Sequence, residues 1–320
     1  MAEKSVKGPL PTLAKSWERT LRADGKSPYT IRNYRKSLRL LGEYLGENDL
    51  SDAVKKVKAD DITDWLADVA EDTSASTAAH HYRNVVAFWA WVVKAERLLP
   101  PGKNPMLEVR PPRADDVKRP PLSQDQVAAL LKSCSTTNFL DLRDAAIIRV
   151  LADTGMRLSG LIGLKYHPDH PGLDNPGYSD VFLDHQPPLL RLRLKGGRQH
   201  LVDIGRRTEI ALDRYLRYRA TRRNADDPQL WLSRAGVLTR GGLQQMLHRR
   251  SAQAGLGERV HPHRFRRSMA TWHLDAGGSR DALMARAGWT SEKMVNLYVS
   301  DSRDRLAWQE SQRLGVADRF

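Results

Sequence analysis

At 320 residues, with 40% hydrophobic and 28% charged side chains, the chain has a soluble globular composition and is long enough for two domains with separate cores. Its 52 Lys and Arg against 38 Asp and Glu leave a net charge of +14 and a pI near 10.0; such a surface suits a polyanion, nucleic acid being the commonest, although a basic balance also serves plain solubility. A single cysteine, Cys134, excludes an internal disulfide framework and any cysteine-rich zinc site and fits a cytoplasmic protein, and with no signal-peptide pattern and no run of roughly 18 apolar residues, no membrane partner is expected.

Residues 8–100 read as a small helical domain. In "SPYTIRNYRKSLRLLGEYLGEN", Ser27 is placed as an N-cap and Pro28 as the first helical residue. Ile31, Tyr34, Leu38, Leu41 and Leu45 follow at three- and four-residue steps, as a packed face requires. Arg32, Arg35, Lys36 and Arg39 form a second stripe, which is either a phosphate-binding face or a solvated one. "DDITDWLADVA" and the aromatic-rich "STAAHHYRNVVAFWAWVVKAERLL" add further helices. Seven prolines between Leu99 and Leu122 predict an extended linker over 101–121, leaving 122–320 as a second domain.

That second domain opens on "LSQDQVAALLKSC", with Ser123 and Gln126 in capping-box spacing, followed by the helix "LRDAAIIRVLADTGMRLSGLIGL". The segment from His167 to Gly177, "HPDHPGLDNPG", reads as an inserted polar loop; His167, Asp169 and His170 could suggest a metal but lack a fourth ligand. In "LLRLRLKGGRQHLVDI" the period falls to two. Leu190, Leu192 and Leu194 alternate with Arg191, Arg193 and Lys195 ahead of a Gly196-Gly197 turn, which predicts a hairpin with three cations on its polar face. From "EIALDRYLRYRA" onward the pattern is helical again.

"HPHRFRRS" then places two histidines and three arginines at the start of an apolar helix. His263 and Arg266, three apart, share one face of its first turn, where unpaired N–H groups already favour an anion. Arg157 follows the buried helix in "TGMR", and "AGWTSEKMVNLYVS" sets Trp289 nine residues before Tyr298. Taken singly, Arg157 could be a helix cap, Trp289 a core aromatic and Tyr298 a packing residue.

In this order and spacing, the residues resemble the catalytic set of the tyrosine recombinase, or phage integrase, family. The resemblance implies a mostly α fold with a small β-sheet: an amino-terminal helical, SAM-like core-binding domain and a carboxy-terminal catalytic domain, the two closing around duplex DNA as a clamp. It matches Arg157 and Arg266 to the paired arginines, Lys195 to the hairpin lysine, His263 to the histidine of HxxR, Trp289 to a His-or-Trp position and Tyr298 to the nucleophile. It further implies a homotetramer on double-stranded DNA sites and accessory DNA-bending or directionality proteins. A phage or other mobile element is the expected source. The alternatives are an Xer-like resolvase of chromosome or plasmid dimers and a catalytically inactive DNA-binding regulator. No arm-binding domain is expected ahead of the core-binding one. The tail after Tyr298, with Leu306, Trp308 and Leu314 on a charged segment, is expected either to dock on a neighbouring protomer or to pack on its own domain.

The residue types suit that chemistry without a metal or cofactor. Arg157 and Arg266 can each fork two donors onto phosphate oxygens, Lys195 would protonate the leaving 5′ oxygen, and His263 would take the tyrosine proton or hold the phosphate. Trp289 can offer only its indole N–H and its ring. Arg191, Arg193, Arg240 and Arg264 read as phosphate contacts or solvated charge. Two positions depart from the pattern: Gly160 stands where an acidic residue is common, and Arg267 where a second histidine is common.

Overall fold

The computed structural model describes residues 9–113, 120–135, 137–170, 172–175, 177–193, 198–299 and 303–315, with the side chains of 293, 297–299, 303–306, 309 and 310 left aside. The chain forms two compact units, Met1–Lys118 and Arg119–Phe320.

In the first unit, α1 (Leu10–Ala23) buries Leu10, Leu13, Trp17 and Leu21, an amphipathic stripe at helical spacing. The Ser27 hydroxyl caps α2 (Pro28–Glu47) by accepting from the Thr30 N–H at 3.1 Å, and Ile31, Leu38, Leu41 and Leu45 point into the core with Tyr34 at its edge. α3 (Ala59–Asp72) and α4 (Ala75–Lys94) complete the bundle, and Trp17 stacks on Tyr34 with ring centroids 4.8 Å apart. A buried polar joint sits between α2 and α4: the Ser37 hydroxyl meets His81 Nδ1 and accepts from Asn84 Nδ2, both at 2.8 Å. The proline segment is not extended throughout. Residues 101–107 make two short 3₁₀ turns, and Met106 and Val109 pack into this unit's core, because apolar side chains between the prolines find an uncovered surface there.

The second unit is built around α6 (Phe139–Thr154), whose Ala146, Ile147, Ile148, Val150 and Leu151 are fully buried. α5 (Gln124–Lys132) precedes it with the Ser123–Gln126 capping box in place. Gly155 ends α6 in the left-handed region at φ 56°, and the short α7 (Leu158–Ile162) follows Arg157. Three antiparallel strands, β1 (Val181–Phe182), β2 (Leu189–Arg193) and β3 (Gln199–Asp203), lie in chain order with Leu190 opposite Val202. α8 (Arg206–Ala220) packs along α6, followed by α9 (Arg240–Gln253) and α10 (Pro262–Asp275). α11 (Arg280–Ala287) and α12 (Glu292–Val299) form a small cluster with α10 through Met269, Leu274, Leu283, Trp289 and Val295. α13 (Arg303–Leu314) ends the described chain. No helix among the described residues is long and apolar enough to cross a membrane.

Candidate active site

Gly155 decides the geometry at the end of α6. A side chain there would be strained by the positive φ, and its Cβ would come within 2.7 Å of the Met269 methyl and 3.2 Å of the Arg266 Cα. Free of that obstacle, α10 approaches closely enough for Arg266 Nη1 to donate to the Gly155 carbonyl at 3.0 Å. The Arg266 guanidinium also lies over the Trp289 ring, 4.9 Å from its centroid. Both residues are nearly enclosed, at 3% and 6% exposed, so the charge is fixed rather than swept through solvent.

Arg157 occupies the N-cap position of α7, yet its side chain makes no cap hydrogen bond and stays exposed. Arg157 and Arg266 line one cavity of about 400 Å³ together with Met156, Ser159, Gly160, Leu192, Arg193 and Ala287, and no carboxylate is among its described lining residues. Gly160 faces open space, with nothing within 4 Å of where a Cβ would sit, so a side chain at this position would extend into unfilled volume. Arg267, at the other departure, is buried on α10.

His263, one turn before Arg267, keeps an accessible edge, but partial burial first, then the Arg266 and Arg157 charges, hold its pKa below the ordinary 6.5. The imidazole is therefore neutral at pH 7 and can accept a proton. The sign for stability follows: as pH falls, the unfolded chain takes up this proton before the folded one, so the group lowers stability below pH 6.5 and costs none above it. In an NMR titration the His263 ring should show a midpoint below 6.5, and Arg157→Ala should move it upward toward that value. A midpoint that Arg157→Ala leaves in place would mean the Arg157 charge does not act on it.

Lys195 lies outside the described residues, between β2 and β3 in the chain. Tyr298 falls in the last turn of α12, six residues after its start; its side chain and that of Leu306 are outside the described ones.

The other basic candidates separate. Arg32, Arg35, Lys36 and Arg39 are all exposed on α2, with Arg39 paired to Glu43 and Arg35 3.9 Å from Glu18. Arg193 is half exposed and 3.5 Å from Asp180, and Arg240 is exposed at the start of α9. Arg191 and Arg264 are interior residues, contrary to the expectation of a DNA-facing role. The Arg191 guanidinium donates to the carbonyls of Leu173, Asn175 (3.2 Å) and Ser179 (3.1 Å) and covers the Phe182 ring. The segment around Leu173 and Asn175, with Ser179, thus consumes that arginine, which strand alternation alone would place in solvent. Arg264 is tied to Glu258 and, at 3.0 Å, to the Pro120 carbonyl. His167 meets the Tyr178 ring at a tilt, with centroids 4.4 Å apart, while His170 sits 3.6 Å from Asp184; no group of three or more His, Cys, Asp or Glu that could hold a metal forms among the described residues.

Sequence reading missed a buried charge cluster on the first half of α6. Asp144, fully buried on α6, accepts from Arg143 (2.6 Å), Arg249 (2.8 Å) and Arg250 (2.7 Å), which ties α6 to α9. The only signal was an acid among apolar residues of a core helix.

The phage integrase family matches residues 121–305, and the phage integrase N-terminal SAM-like domain matches 14–96. The chain belongs to the phage integrase family of tyrosine recombinases, enzymes that cleave and rejoin DNA strands. Among its relatives, tyrosine recombinase XerC of Chromobacterium violaceum is 29% identical over 286 residues, covering 88% of each chain. Tyrosine recombinase XerD of Mycobacterium tuberculosis is 29% identical over 290 residues, covering 86% of this chain and 88% of the relative. In fold, it is similar to a lambda integrase tetramer bound to a Holliday junction, with a TM-score of 0.69 at 16% identity over 91% of this chain and 77% of that one. It is also similar to XerH recombinase in a post-cleavage complex, with a TM-score of 0.66 at 17% identity over 93% and 84%.

Proposed function

We propose that this protein is a site-specific recombinase of a phage or other mobile element, which exchanges strands between duplex DNA sites through a 3′-phosphotyrosine intermediate and a Holliday junction. The observation that carries this reading is the cavity on which Arg157 and Arg266 converge, with no carboxylate among its described lining residues. Attack on a phosphodiester builds charge on the nonbridging oxygens, and fixed guanidiniums that need no reorganisation stabilise it. Tyr298 Oη forms the new bond to phosphorus and passes its proton to His263. The 5′ oxygen departs with a proton from Lys195. Attack by a 5′ hydroxyl from the partner strand then reverses these roles and releases the tyrosine, so the energy of the broken bond is retained and no nucleotide cofactor is needed. Trp289 holds the Arg266 guanidinium in plane against the cavity wall.

Arg32, Arg35, Lys36 and Arg39 on α2, with Arg193 and Arg240, supply phosphate contacts to the double-stranded DNA. The working unit is a homotetramer on DNA, assisted by accessory DNA-bending or directionality proteins and acting in the cytoplasm. Trp308 and Leu314 on α13, 75% and 45% exposed, are available to a neighbouring protomer, which favours docking between copies over packing on the same domain. A dimer-resolving role is the second reading, and the Xer-named relatives favour it. The test of the chemistry is Tyr298→Phe on a nicked suicide substrate. The variant should bind its site with wild-type affinity and form no covalent protein–DNA adduct. A persisting adduct would assign the nucleophile to another residue.

A further inference from the structure

Outside the cavity, one side chain gathers three of the segments that carry the proposed catalytic groups. Arg286, in the last turn of α11, directs Nη1 to the Asp203 carboxylate at the end of β3, and Nη2 to Asp153 Oδ1 at 2.8 Å in the last turn of α6. Its backbone joins in, because His200 Nε2 on β3 donates to the Arg286 carbonyl at 3.0 Å. The second Asp153 oxygen accepts the Gly205 N–H at 2.7 Å, just beyond β3. Asp153 lies four residues before Arg157, and Arg286 three before Trp289, while β3 is the return strand of the hairpin whose connection contains Lys195.

The placement is not what local stability alone would select. A carboxylate in the last turn of a helix opposes the helix dipole, so Asp153 is unfavourable for α6 unless a cation and an N–H donor meet it. Arg286 is absent from the cavity lining, whereas its neighbour Ala287 is part of it. It can therefore influence the reaction only through what it holds.

We propose that Arg286 is a positioning residue that fixes the β2–β3 hairpin against α6 and α11, and thereby sets the general acid Lys195 relative to the paired arginines. This rests on the reading of Lys195 as the proton donor to the leaving oxygen. During cleavage the tyrosine oxygen–phosphorus bond forms, the phosphorus–5′-oxygen bond breaks, and the leaving oxygen takes the lysine proton. A substrate with sulfur in place of that bridging oxygen releases a thiolate, which needs no proton, so a defect confined to the acid disappears on it.

The experiment measures single-turnover cleavage of the oxygen and sulfur substrates by full-length Arg286→Ala, Asp203→Asn, Asp153→Asn and Lys195→Ala, with site binding and thermal melting in parallel. Asp203→Asn loosens only the hairpin arm at an exposed carboxylate, so it tests the idea even if Arg286→Ala folds poorly. Arg286→Ala and Asp203→Asn should slow oxygen-substrate cleavage by on the order of 10²-fold or less, the scale of a misplaced catalytic group, and recover on the sulfur substrate. Asp153→Asn, acting on the Arg157 side, should be slow on both. If Lys195→Ala recovers on sulfur while Asp203→Asn and Arg286→Ala do not, the positioning role is overturned alone. If Lys195→Ala fails to recover, the general-acid reading falls and takes the proposal with it.

Discussion

Arg266→Ala should reduce covalent adduct formation by about 10²-fold or more, equivalent to about 2.7 kcal/mol of transition-state stabilisation, while affinity for the target site changes little. The two quantities separate because site binding is spread over many phosphate contacts, whereas the charge that develops during cleavage is met by few groups. Arg266 is set for this role by its surroundings. One amino group is held by the Gly155 carbonyl, the plane is covered by Trp289, and the side chain is 3% exposed. Arg266→Lys retains the charge but loses the planar fork and the stacking, so it should remain strongly impaired. Parallel gel-shift and suicide-substrate assays decide it, and loss of binding equal to the loss of cleavage would assign Arg266 a structural role.

The largest stability effect is expected at Asp144. Its carboxylate accepts from three guanidiniums, of which Arg143 and Arg250 are themselves buried, Arg250 being shared with Asp141. Asp144→Ala leaves those charges enclosed with too little compensation, a loss that typically amounts to about 3–5 kcal/mol. Against a total stability on the order of 5–15 kcal/mol this is a large fraction. Chemical denaturation of the full chain should show the transition of the second unit moved to lower denaturant, with that of the first unit unchanged. Glu43→Ala, which removes the exposed partner of Arg39, provides the comparison and should change stability by less than about 1 kcal/mol. Equal effects for the two substitutions would contradict the distinction between buried and exposed charge.

Much of the site was legible because its residues sit at fixed distances along the chain. His263 and Arg266 share a helical turn, and Trp289 and Tyr298 are separated by a short connection, so the order of the candidate residues can be read before any folding is known. Helix starts were equally local. Ser27 with Pro28, and Ser123 with Gln126, act within one turn, and both caps form as the spacing implies.

What the tertiary structure decided concerns contacts between segments far apart in the chain. Alternation in β2 placed Arg191 beside Arg193 on a polar face, but strand period reports only sidedness, not what covers each side. The segment around Leu173 and Asn175 covers one, and Arg191 is spent on the Leu173, Asn175 and Ser179 carbonyls. Arg264 read as a phosphate contact or solvated charge, yet helix rotation turns it toward Glu258 and Pro120. Residues 101–109 read as linker from their prolines, while Met106 and Val109 found apolar surface that only the assembled bundle offers. The sequence by itself determined the family, the helix caps and the order of the candidate site residues, since each depends on neighbours within a few residues. Which arginines face the cavity, which are enclosed as structural ties, and how Gly155 lets α10 approach α6 were decided by packing, because burial and charge compensation exist only once distant segments meet.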